Sequence, residues 1–253
     1  MKMRFFTGLH QPSDAKHFDA AFVSVNRIRN RKSNFQVGDW IMDSGAFSEL
    51  SRPNTILSDG TVVFNDYREE TSVYAEQIRR WKDCGNLLAA VTQDYMCESF
   101  ILEKTGLTVR EHQEKTIARY DELLRCETGV YIMPVLQGYD PKDYVTHLRM
   151  YGDRLAQGAW VGIGSICKRN GDPRAIETVL LAIYRERPDL RLHGFGLKST
   201  ALKSGIVDQL LYSADSMAWS FQARMKGNGN DWREAKRWTE GITSRWIQKP
   251  LFL

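Results

Sequence analysis

Eight apolar, β-rich runs, most of them closing on Gly or Asp, constrain the fold of this chain more than any other feature. They are Arg4 to Gly8, Ala21 to Val25, Trp40 to Asp43, Leu87 to Asp94, Val130 to Gly138, Ala159 to Ile166, Leu190 to Gly196 and Leu210 to Asp215. Several are followed by charged, amphipathic segments: Tyr67 to Asp83, Val109 to Arg125, Pro141 to Tyr151 and Pro173 to Arg187. Asp140 and Asp172 precede Pro141 and Pro173, the pattern of an N-cap followed by proline at the first helical position. Strand then helix, repeated, makes a parallel sheet covered by helices. Eight such units favour a closed (β/α)8, TIM-like barrel over an open doubly wound sheet, with short connections after the first two strands and a last helix from Trp232 to Trp246. The open sheet would also want a G-x-G-x-x-G or Walker sequence, and neither occurs. With no internal repeat, linker or low-complexity segment, residues 1–253 read as a single α/β domain. A basic C-terminal helix covers about 231–248, and Arg52 to Asn65 forms a loop or small hairpin above the barrel.

Three of the runs end on a carboxylate, at Asp43, Asp94 and Asp215. A strand buried on both faces must be apolar, so an Asp at its carboxyl end either caps the following turn or points into the crevice above the sheet. For one strand the turn cap is the better reading. Three carboxylates at three strand ends suggest one site. Gly162-Ile163-Gly164 and Gly194-Phe195-Gly196 lie late in their strands, where a ligand can approach the backbone closely.

No apolar run approaches membrane-spanning length, and the start Met1-Lys2-Met3-Arg4 leads into polar residues rather than a signal segment. A cytoplasmic protein without a membrane partner is the expectation. Cys84, Cys97, Cys126 and Cys167 lack paired spacing, so free thiols are expected rather than a disulfide framework or a zinc site. The net charge of +4 is unevenly placed. Arg27, Arg29, Arg31 and Lys32 form one acid-free cluster. In the tail Arg224, Lys226, Arg233, Lys236, Arg237, Arg245 and Lys249 outnumber Asp231, Glu234 and Glu240. Such clusters suit a polyanion, and equally suit solvated helix faces.

Taken in order, the strand ends resemble the tRNA-guanine transglycosylase superfamily: Asp-Ser-Gly-Ala-Phe at 43 to 47, Gln93-Asp94, Val135-Leu136-Gln137-Gly138, Ile163-Gly164-Ser165, His193-Gly194-Phe195-Gly196, and Asp215-Ser216-Met217-Ala218-Trp219 with Ala223-Arg224 beyond. The resemblance runs from about Trp40 to Arg224. Within the superfamily the chain looks most like the deazapurine DNA-modification transglycosylases (DpdA-like) of phages and bacteria. The tRNA enzymes carry a C-terminal Cys/His zinc site for which nothing after Cys167 provides ligands, and this departure puts tRNA in doubt as substrate.

What the resemblance implies is exchange of guanine in DNA, double- or single-stranded, for a 7-deazaguanine base such as 7-cyano-7-deazaguanine (preQ0), with no metal or organic cofactor. By resemblance Asp215 is the nucleophile that forms a covalent glycosyl-enzyme, which the incoming base resolves with retained configuration. Asp43 matches the second essential carboxylate, which contacts the base and handles its proton. Phe47 and His193 match side chains that sandwich the base. Asp94 would accept from N1–H and N2–H and Gln137, followed by Gly138, would donate to O6, a pairing complementary to guanine and mismatched to adenine. Gly164 and Ser165 would meet the base and its 7-substituent. Arg224, Lys226, Arg27, Arg29, Lys168 and Arg169 would hold phosphates, and Trp219 would pack near the sugar. A transglycosylase acting on tRNA and a non-catalytic barrel that binds nucleic acid or a nucleobase are the alternatives. Helper proteins and oligomeric state carry no signal in the sequence.

Overall fold

A computed structural model describes residues 3–169 and 171–247. Among these, eleven strands occur: β1 (Arg4–Gly8), β2 (Ala20–Ser24), β3 (Asp39–Asp43), β4 (Thr55–Ile56), β5 (Val62–Val63), β6 (Asn86–Val91), β7 (Ile132–Met133), β8 (Val135–Leu136), β9 (Trp160–Ile163), β10 (Arg191–Gly194) and β11 (Leu211–Ser216). Nine of them make one parallel sheet in the order β7-β6-β3-β2-β1-β11-β10-β9-β8. Its two ends belong to one stretch of chain. Pro134 separates β7 from β8, and a proline offers no N–H to a ladder. β7 therefore pairs with β6 while β8 pairs with β9, and the Pro134 carbonyl accepts from Gly162 N–H at 2.8 Å. The result is an α/β fold around a nearly closed barrel.

Strand alternation divides the apolar residues into an inner and an outer set. Phe6, Phe22, Ile41, Ala89, Val91, Met133 and Val135 form a buried cluster made only of strand residues. The neighbours on the opposite pleat, among them Phe5, Val23, Trp40, Met42 and Ala90, pack instead against helix residues. The helix Thr71–Trp81 shows why: Thr71, Tyr74, Ala75, Ile78 and Trp81 are buried at helical spacing and put one stripe on the sheet. Each such fully buried large side chain stabilises the fold by about 1.5–3 kcal/mol.

The helices Val109–Arg125 and Pro141–Tyr151 span the residues expected from the sequence, and Pro173–Glu186 stops one short of Arg187. Asp172 accepts from Arg174 N–H at 3.0 Å, the expected cap. At the other Asp-Pro pair the bond runs from outside inward: the Asp143 carboxylate accepts from the N–H groups of Tyr139 and Asp140. The first two crossovers are short, a 3-10 turn Pro12–His17 and one turn Val25–Ile28. β4 and β5 form an antiparallel hairpin within the predicted 52–65 insertion. The helix Ser99–Thr105 was not expected from periodicity, being too short to show it. The C-terminal helix runs Trp232–Ile247. Among the described residues no helix is long and apolar enough to cross a membrane.

Candidate active site

Because the nine strands are parallel, all their carboxyl ends share one rim, the face on which barrel folds gather loop side chains. A cavity of about 120 Å³ opens there, lined by Asp43, Asp94, Gln137, Gly164, Ser165 and Asp215 together with Phe22, Ala46, Phe47, Val91, Met96, Glu98, Cys167 and Phe195. Three carboxylates far apart in sequence thus meet in one place.

Asp43 and Asp215 are placed by strand register, and Asp94 by the loop that follows β6. Ser24 lies opposite Asp43 across β2 and β3, which brings its hydroxyl to the Asp43 carboxylate. Gly45 N–H adds a second bond at 3.2 Å, from a left-handed glycine at φ 78° where a side chain would meet Asn26. Asp215, opposite Phe6, is only 5 % exposed. Its Oδ1 accepts from Gly196 N–H at 3.1 Å and lies 3.3 Å from His193 Nε2. No hydrogen bond among the described residues engages Oδ2. Asp94 is 6 % exposed and accepts from the Gln137 amide, while Tyr67 holds its backbone carbonyl at 2.9 Å.

Gln137 is anchored by a buried histidine. His147 Nδ1 accepts from Gln137 N–H at 2.8 Å, so its hydrogen sits on Nε2, which donates to the Gln113 carbonyl at 3.1 Å. Burial pushes His147 down to about 3, keeping it neutral as this arrangement requires. Gln113 in turn donates to the Gln137 carbonyl at 2.8 Å. Gly164 has no room for a side chain, since a Cβ there would come 2.1 Å from Gln137 Nε2. Ser165 takes a positive φ of 55° and accepts Cys97 N–H at 2.9 Å.

Burial raises the carboxyls of Asp43 and Asp94. Asp43 is pushed up to about 6 by desolvation, with the Asp215 charge adding to it and bonds from Ser24 and Gly45 opposing. Asp94 is pushed up to about 7 by desolvation, with the charges of Asp43 and Glu98 adding and the Gln137 bond opposing. A carboxyl raised in this way binds more protons folded than unfolded, so it costs stability as pH rises from its ordinary value of 3.8 through about 7. Asp94→Asn is accordingly expected to be more stable than the wild type at pH 8, by on the order of 1–4 kcal/mol. Thermal melts of the two proteins should converge as pH falls below 4.

Three expected residues lie off the cavity wall. His193 is fully buried, with Nδ1 2.9 Å from Ser213 Oγ, its ring stacked on Phe22 and its edge toward Phe195. Strand alternation turns it inward beneath Asp215, and Phe195 takes the wall position instead. Trp219 is also buried, its indole N–H bonded to the Gly8 carbonyl at 2.8 Å. Gly138 backs the site rather than lining it, packed against Asp143 and Tyr144. Phe47 lines the cavity and is 52 % exposed, near the Phe100 ring. Glu98 and Cys167 are wall residues that the sequence reading missed. Glu98 sits in a non-periodic stretch, and only its position three residues after Tyr95, among the Asp94 loop, hinted at the site.

The basic residues divide. Arg27 and Arg224 both bear on His10, whose pKa is lowered by burial and by their charges, and Arg27 Nη2 is 3.3 Å from His10 Nδ1. Arg27 and His10 line a groove of about 510 Å³ that shares Asp43 with the cavity. Arg29 is instead paired to Glu69. Arg169 lies over the Tyr139 ring at 4.7 Å, with Nε and Nη2 lacking a hydrogen-bond partner among the described residues. Lys226 is exposed after the helix Ala218–Met225, and the Lys168 side chain lies outside the described residues. Among the described residues no group of three or more His, Cys, Asp or Glu is arranged to hold a metal ion, and none of the four cysteines is in a disulfide.

A family profile described as DpdA, DeoxyPurine in DNA protein A, matches residues 1–237. No curated protein matches the chain.

Proposed function

Since the chain belongs to the DpdA family, DeoxyPurine in DNA protein A, we propose that it exchanges guanine in DNA for a 7-deazaguanine base such as 7-cyano-7-deazaguanine. The observation that carries this reading is the meeting of Asp43, Asp94, Gln137 and Asp215 on one cavity at the carboxyl rim. Asp215 attacks C1′ of the target nucleotide, the C1′–N9 bond breaks, and guanine leaves with the bonding pair. Asp43 supplies the proton that the departing base requires, a task suited to a carboxyl raised to about 6. The incoming base then enters the same slot, loses its proton to Asp43 and displaces Asp215, so two inversions retain the β configuration. No metal or organic cofactor enters these steps.

Asp94 accepts from N1–H and N2–H of the base, and the Gln137 amide donates to O6. Gly164 and Ser165 face the 7-substituent, with Phe47 covering one face of the ring. His193, lying beneath Asp215, orients that carboxylate rather than stacking on the base. The fold reading that accompanies this function counts β7 and β8 as one strand broken at Pro134, which makes a single-domain (β/α)8 barrel. Pentosyl transfer on an intact strand requires the target base outside the stack, so the substrate is extruded or single-stranded DNA.

The groove holding Arg27 and His10 leads from the cavity past Asp43 and suits the phosphates flanking such a base. Arg27→Ala and Arg224→Ala are each expected to lower the slope of log affinity against log salt by about 0.7–0.9. Arg29→Ala, already paired to Glu69, should change that slope far less. Filter binding across a salt series checks all three.

Cells expressing the chain beside a deazaguanine synthesis pathway test the reading directly. Mass spectrometry of digested nucleic acid should find 7-deazaguanine nucleosides in DNA. Finding them only in RNA would move the substrate to tRNA, and finding none while base or DNA still binds would leave a non-catalytic barrel.

A further inference from the structure

Four buried side chains at the wall of the cavity form one hydrogen-bonded chain, Asp94, Gln137, Ser165 and Glu98. The Gln137 amide nitrogen donates to Asp94. Ser165 Oγ lies 2.7 Å from Gln137 Oε1 and 2.9 Å from Glu98 Oε2, and it accepts Cys97 N–H. A serine hydroxyl carries one hydrogen. Here it faces two oxygens, so with both carboxyls ionised one close oxygen pair has no hydrogen between its members.

One added proton repairs the chain, and it has two places to sit. On Glu98, it is donated to Ser165 Oγ, the hydroxyl turns to Gln137 Oε1, and the amide nitrogen serves an ionised Asp94. On Asp94, it is donated to the Gln137 oxygen once the amide has turned over; the amide nitrogen then serves Ser165 and the hydroxyl serves an ionised Glu98. Amide orientation follows the network around it. Only the first arrangement offers acceptor oxygens to N1–H and N2–H and an N–H to O6.

We propose that Glu98 is a positioning residue, holding the proton that Asp94 gives up when a guanine-type base binds and so fixing the Gln137 amide in the orientation that reads O6. This rests on the base-exchange reading of the cavity. Atoms balance: Asp94 loses one proton, Glu98 gains one, and none is exchanged with the solvent overall. The surrounding charges favour a chain that keeps its proton. The charge of Asp43 bears on Asp94 from the end of β3, Asp215 in turn bears on Asp43 from the end of β11, and Asp143 adds negative charge near Cys97 from the helix behind. Among the described residues around Glu98 are the Cys97 thiol, pushed up by burial, the Cys167 Sγ at 4.0 Å, and the Tyr144 hydroxyl bonded to the Gly164 carbonyl. Among the described residues the cation on that side is Arg169, whose charge is felt at Tyr144.

The test is the affinity of the full chain for 7-cyano-7-deazaguanine, measured from about pH 6 to 9 for the wild type and Glu98→Gln. The introduced amide donates to Ser165 at every pH. Above pH 7 its affinity should stay within about twofold of the pH 7 value, whereas wild-type affinity falls toward about tenfold per pH unit once the chain loses its proton. Ionisation of the base itself acts equally on both proteins. Ser165→Ala, which severs the two ends, should lose the same alkaline limb and serves if Glu98→Gln does not fold. An alkaline limb of unchanged slope and midpoint in either folded variant overturns the proposal and leaves the base-exchange reading standing. Absence of base binding by the wild type at every pH overturns both.

Discussion

Asp215→Asn is expected to abolish base exchange, lowering the rate by at least about 10⁴-fold, and to eliminate any covalent DNA–protein adduct. Binding of DNA and of free base should change by no more than about threefold, because the amide keeps the volume and an acceptor oxygen for Gly196 N–H. The loss is chemical: an amide oxygen is a poor nucleophile, and the negative charge that meets the developing oxocarbenium ion is gone. Labelled-guanine exchange and denaturing-gel detection of the adduct read the two effects separately. Retained exchange would remove Asp215 from its role, whatever the fate of the other carboxylates.

Asp43→Asn should lower exchange by about 10²–10⁴-fold while still permitting some adduct to accumulate. The difference from Asp215→Asn follows from position. In the proposed reaction Asp43 does not form the sugar bond but exchanges a proton with the base, a task that water in the cavity can take over slowly. Its carboxyl, raised to about 6 by burial and by the Asp215 charge, sits near the pH of use, where one group can both give and take a proton. The pH profile of exchange should therefore lose its limb near 6 in Asp43→Asn and keep the limb near 7 that Asp94 contributes. A profile unchanged by the substitution would assign that proton transfer elsewhere.

Much of the fold was legible because its signals are local. Apolar runs ending on Gly or Asp marked the strands, Asp-Pro pairs marked two helix starts, and the amphipathic period marked the long helices. Elements too short to show a period were not legible, as with Ser99–Thr105 and the broken strand at Pro134, where one run of sequence serves two edges of the sheet. The site divided in the same way. Asp43, Asp94, Asp215 and Gly164 stand at or just past the ends of apolar runs and were legible there, whereas Gln137 and Ser165 were singled out through the family resemblance. Glu98, Cys167 and Phe195 line the same cavity without forming a pattern of their own, and His193 and Phe195, two residues apart, differ in which meets the cavity.

By itself the sequence determined the parallel α/β class and the carboxylate at each of three strand ends, since apolar periodicity and strand-end chemistry are properties of neighbours in the chain. Tertiary structure alone decided what lies between those carboxylates. Sheet register set Ser24 against Asp43, closure around Pro134 brought Gln137 to Asp94, and the loop after Asp94 carried Glu98 to Ser165. Burial then moved the carboxyls of Asp43 and Asp94 to about 6 and about 7, because the cost of a charge depends on everything packed around it and not on the residues beside it in sequence.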